Sequence, residues 1–262
     1  MKASQYFESR PSLRRDSVEC QASLNSFGFD FAGASRPSED LLDGYLDWMA
    51  PSPGAIAFLL GERPSTCEAG LTSNSLIVHY FRTAVAEGAI RRHRLVSELN
   101  ELVSNVWEHK SVATCFYAHY SSSTQVLRFV NAGHQPPLLI RRDPSEVLRL
   151  DRGGPSLGSW SATGFSEGAV RLKPGDRMAA FTRGVAEAWA TENDTAAEAA
   201  LVRILHNWQN ESAKRIAKLI VENDLATRST KLDRIAAVAS LGNPPEALNC
   251  VLIDRQFAAA AV

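Results

Sequence analysis

A chain of 262 residues that is 45% hydrophobic and 22% charged can bury a full core, and its composition is not that of a disordered protein. Its 28 basic and 29 acidic residues nearly cancel, so the overall charge gives no ground for nucleic acid or an anionic membrane as partner. The longest apolar run, AIAFLL at 55–60, falls far short of the ~20 residues that span a bilayer, and the amino-terminal stretch has no apolar signal core. Cys20, Cys67, Cys115 and Cys250 are scattered without a C-x-x-C or Cys/His pairing, which fits a reducing compartment better than a disulfide scaffold or a zinc site. The expectation is a soluble cytoplasmic protein.

Residues 1–25 mix charge, Ser and Pro without periodicity and read as a polar lead. One domain is expected over 26–257, with a short tail at 258–262. Residues 26–35 alternate as a strand, and GAIAFLLG at 54–61 reads as a strand buried on both faces. Two amphipathic helices follow, one over 67–87 and one carrying Leu95, Leu99, Leu102 and Val106. From 112 to 182 the period shortens. Six runs rich in β-branched and aromatic residues, separated by Gly, Pro, Ser and Asp, predict an antiparallel meander. Helical periods return in TAAEAALVRILHNW and SAKRIAKLIVEND, and LNCVLIDRQF is expected to close the chain with a strand. This order argues for an α+β fold in which helix pairs cover sheet faces.

Three segments carry a family resemblance: FVNAGHQPPLLIRR, then GGPSLG, then VRLKPGDRMAAFTRGVAEAW. They resemble, in order, the N-A-G-H-x-P-P, G-x-x-L-G, and L-x-P-G-D with T-D-G-x-x-E motifs of the SpoIIE-type branch of the metal-dependent protein serine/threonine phosphatase (PPM) family. Upstream, GFDFAGASRPSEDLLDGYLDW is similar to that family's first strand and G-G-D-Y-x-D segment, and GAIAFLLGERPSTCEAGL to its G-D-x-S-G-x-G strand and helix start. LNCVLIDR resembles the strand that follows D-[DN]-A-T. The resemblance spans about 27–256 and implies an α-β-β-α sandwich of two antiparallel sheets flanked by helices. It also implies a bacterial signalling protein of the sigma-factor regulators.

The chemistry implied by the family is phosphoserine or phosphothreonine hydrolysis by a water held between two Mg²⁺ or Mn²⁺ ions. Such ions, ~3.5–4 Å apart, need several carboxylates to hold them and acidify the water between them. Carried over residue by residue, the ligand set is depleted. The G-G-D aspartate aligns with Gly44, with Asp43 one place earlier; the G-D aspartate aligns with Glu62; the T-D-G aspartate aligns with Arg183. The acid before the last strand aligns with Ala247, beside Glu246. A guanidinium at a ligand position repels a divalent cation.

The resemblance with these losses implies a pseudophosphatase, with no metal cofactor and no catalytic residues. It would act by binding in a partner-switching pathway, with a STAS-type anti-sigma-factor antagonist or a serine kinase as partner. Two alternatives stand beside it: an active Mn/Mg phosphatase with a site rearranged around Asp43, Glu62 and Glu246, and a structural subunit that keeps only the fold. Arg183 has two readings, a guanidinium in the metal's space pairing with Glu62, Asp43 or Asp47, or a side chain turned out into water. Asn131, Gly133 and His134 of the N-A-G-H motif read as a turn that fixes two strands, and Asp176 as a turn residue. The family's helices can form dimer faces, which makes the stripe at 95–106 a candidate homodimer contact.

Overall fold

The structure is a computed structural model, and it describes residues 19–20, 24–26, 28–36, 44–63, 70–88, 92–106, 112–142, 146–159, 164–189, 194–208, 210–222 and 234–241. In chain order the elements are β1 (Glu19–Cys20), β2 (Leu24–Ser26), β3 (Phe29–Arg36), β4 (Gly44–Met49), β5 (Ala55–Glu62), α1 (Gly70–Glu87) and α2 (Arg92–Val106). Then come β6 (Thr114–Ser121), β7 (Val126–Ala132), β8 (Leu138–Ile140), β9 (Val147–Arg149), β10 (Gly153–Gly154), β11 (Gly168–Arg171) and β12 (Arg177–Phe181). The last are α3 (Arg183–Trp189), α4 (Asp194–Asn207), α5 (Ala213–Glu222) and β13 (Arg234–Leu241).

The strands form two sheets, and period-2 alternation sends successive side chains to opposite faces. One sheet runs β1-β3-β13-β12-β8-β9, with β2 also on β3; the other runs β10-β7-β6-β5-β4, with β11 also on β7. Between them lies a core in which Phe31 meets Phe58, Phe58 meets Phe116, and Phe116 stacks on Phe129. The outer face of the second sheet buries Ala57, Leu59, Tyr117 and Val130 against Ile77 and Phe81 of α1 and Leu95, Leu99 and Val103 of α2. The outer face of the first sheet buries Ala179, Phe181, Ala236 and Val238 against Val185, Leu201, Ile216 and Ile220 of α3 to α5. The layers are therefore α-β-β-α, the fold class implied by the resemblance.

Several expectations change. The run from 112 to 182 is not one meander: β6, β7, β10 and β11 join one sheet and β8, β9 and β12 the other, with the chain crossing between sheets after β7, β9 and β11. The pairing of β10 with β7 is parallel, whereas the named strands otherwise pair antiparallel. The polar lead contributes β1 and β2, both antiparallel to β3, so the sheet begins before residue 26. The stripe on α2 faces mostly inward, with Leu102 partly buried. Leu95, Leu99 and Val103 are buried against the chain's own sheet, and Val106 alone of the stripe is well exposed.

The strand expected at 248–257 lies outside the described residues. A strand not expected from the sequence, β13, sits instead between β3 and β12, with Ala236 opposite Ala34 on one side and Phe181 on the other. Its RIAAVASL sequence is alanine-rich, and alanine favours helices. Small side chains are what this position needs, because β13 is sandwiched between helices on one face and the second sheet on the other. Among the described residues no helix is long and apolar enough to cross a membrane.

Candidate functional site

One end of the sandwich brings together the carboxyl ends of β3, β5 and β12, the start of α3 and the start of β13. Alternation along β5 places Ile56, Phe58 and Leu60 between the sheets, and therefore Glu62 as well, at the mouth of the cleft. Across the cleft, Thr182 joins β12 to α3. Its Oγ1 accepts a hydrogen bond from the Ile235 amide at 3.0 Å, and its carbonyl accepts the Val185 and Ala186 amides of the first helical turn. The Thr182 hydroxyl is thus spent on β13, and the first amides of α3 need another acceptor. The Glu62 carboxylate supplies it: the Arg183 amide donates to Oε1 at 3.2 Å and Oε2 at 3.1 Å. A carboxylate at a helix start is favourable in both charge and hydrogen bonding.

The Arg183 guanidinium does not meet Glu62. Its side chain is 72% exposed, and Nε donates to Glu187 one turn along α3 at 2.7 Å. Asp47, another of the acids considered for it, is buried and receives Nε and Nη2 of Arg82 at 2.6 and 2.9 Å. Of the two readings of Arg183, the one that fills a metal's space is corrected to the outward one. The contact between positions 62 and 183 exists, but the main chain makes it.

Behind Glu62 the N-A-G-H segment is held by internal hydrogen bonds. Asn131 Oδ1 accepts the His134 amide at 2.8 Å, while Asn131 Nδ2 donates to the Leu150 carbonyl at 3.2 Å. Gly133 has φ +66°, and a Cβ there would lie 2.2 Å from Ser156 Oγ, so the position needs glycine. Gly153 lies as close, since a Cβ on it would sit 1.8 Å from the Asn131 carbonyl oxygen. The N-A-G-H and G-G-P-S-L-G motifs therefore form one interlocked turn.

His134 is buried, with Nδ1 3.0 Å from Thr114 Oγ1, which in turn accepts the Glu62 amide at 3.2 Å. Burial lowers the His134 pKa to about 4, against a smaller opposing pull from the Phe181 backbone, so the ring is neutral. Its Nε2 has no hydrogen-bond partner of good geometry among the described residues. Tyr45 donates to the Thr114 carbonyl at 2.6 Å. Next to it the Cys115 thiol is pushed up to about 12 by burial, which makes it an inert thiol and not a nucleophile. Asp176 is at the far ends of β12 and β13, where Oδ2 accepts the Lys173 amide at 2.8 Å and Arg141 Nη1 at 2.5 Å.

The sequence-derived positions thus fall into three groups. Gly44 pairs with Glu62 in register, and Arg183 reaches Glu62 through its amide, so these three share the cleft mouth. Asn131, Gly133 and His134 support it from behind. Asp43, Glu246 and Ala247 lie outside the described residues. Thr114 lies in no motif of the sequence, and Thr182, the threonine of the segment resembling T-D-G-x-x-E, is not among the sequence-derived site residues. Among the described residues no group of three or more His, Cys, Asp or Glu side chains is placed to hold a metal. Glu62 accepts from the start of α3 and Asp47 from Arg82, and the other acids considered for a metal, Asp43 and Glu246, lie outside the described residues.

This is the fold of a PPM-type protein phosphatase. The Stage II sporulation protein E (SpoIIE) family matches residues 67–240, about two thirds of the chain, and the chain belongs to that family. It is similar to the RsbU and RsbW domains of a Mycobacterium tuberculosis protein, at TM-score 0.72 and 18% identity over 88% of this chain and 69% of that one. It is also similar to the PP2C phosphatase domain, with a fragment of the regulatory domain, of the cell fate determinant SpoIIE from Bacillus subtilis. That likeness has TM-score 0.69 and 15% identity over 84% of this chain and 65% of that one. Protein IcfG of Synechocystis sp. (strain ATCC 27184 / PCC 6803 / Kazusa) is 26% identical over 134 residues, which cover 50% of this chain and 21% of IcfG. The chain therefore spans about a fifth of that relative's length.

Proposed function

We propose that the protein is a pseudophosphatase: a SpoIIE-type domain that binds a protein partner in a cytoplasmic partner-switching pathway and does not hydrolyse phosphoester bonds. The observation that carries this reading is the Glu62–Arg183 contact. Where the family motif has two metal-holding acids, this chain has one acid already bound to a main-chain amide and one cation turned to solvent. A divalent ion brought to Glu62 would compete with the Arg183 amide for the carboxylate and would sit near a permanent positive charge. Membership of the SpoIIE family and the likeness to RsbU and RsbW domains support a regulatory protein as partner, of the STAS antagonist or serine kinase kind.

Isothermal titration of the purified chain with Mn²⁺ tests the metal side of this reading. Absence of binding heat up to millimolar Mn²⁺ is the expected result. Micromolar binding lost in Glu62→Gln would replace the proposal with a rearranged metal site.

A further inference from the structure

We draw no further inference here: the strongest candidate, the buried side-chain contact beneath the G-G-P-S-L-G turn in which Asn100 of α2 accepts the Gly158 amide at 2.9 Å, belongs to the support of the site already described, and nothing in the structure shows a second arrangement of it.

Discussion

The carboxylate of Glu62 and the main-chain amide of Arg183, 121 residues apart in sequence, meet at 3.1–3.2 Å and join the last residue of β5 to the first residue of α3. This bond ties one sheet to the helix that continues the other. It also changes what an acid at position 62 does, from a group available to an ion to a group that completes a helix start.

The two residues should therefore respond differently to substitution. Glu62→Ala removes a charged acceptor from the first amide of α3 and is expected to cost about 0.5–2 kcal/mol in urea unfolding. Arg183→Ala keeps the amide and loses only an exposed pair one helical turn apart, for about 0.5 kcal/mol or less. Similar costs for both would mean that the guanidinium, and not the main chain, holds Glu62.

His134 should make the fold sensitive to mild acid. Its folded pKa is lowered to about 4 by burial, whereas an unfolded histidine titrates near ~6.5, so between these values the unfolded chain binds more protons. Stability from the neutral ring is complete above ~6.5 and is lost as pH falls towards about 4, on the order of 3 kcal/mol in all. Urea midpoints between pH 7.5 and 4.5 should fall more steeply in the native chain than in His134→Gln. Parallel profiles would remove His134 as the cause.

Arg82 is expected to be a stability residue of the edge strand β4. Its loss leaves the Asp47 carboxylate buried with its ion-pair partner gone, so Arg82→Ala should cost about 3–5 kcal/mol, with the joint change Asp47→Leu and Arg82→Met recovering most of it. Thermal unfolding of the two variants checks this. Failure of the joint change to recover stability would mean that the pair contributes more than the cost of burying it.

Much of this architecture was legible because its signals are local. The continuous apolar run of β5 and the periodic stripe of α2 are set by which face each residue buries, and the N-A-G-H and G-G-P-S-L-G segments carry glycines that close packing requires. What was not legible depends on contacts distant in sequence. β13 reads as helix-prone because alanine is favoured there by packing on both faces, a requirement absent from any local window. The division of the strands from 112 to 182 between two sheets depends on crossings after β7, β9 and β11, and the turn residues there mark a break without saying which sheet the next strand joins. At the site, the resemblance marks Glu62 and Arg183 as a pair of positions, and the residue types leave open both a side-chain ion pair and an arginine turned out into water. The bond made by the amide is invisible in residue identity, since every residue but proline carries one.

Hydrolysis of a phosphoserine peptide by the purified chain in millimolar Mn²⁺, with and without chelator, tests the central claim most directly. The account predicts no turnover above the buffer rate in either condition. Chelator-sensitive turnover that disappears in Glu62→Gln would contradict it, and would mean that Glu62 leaves the Arg183 amide to hold a metal.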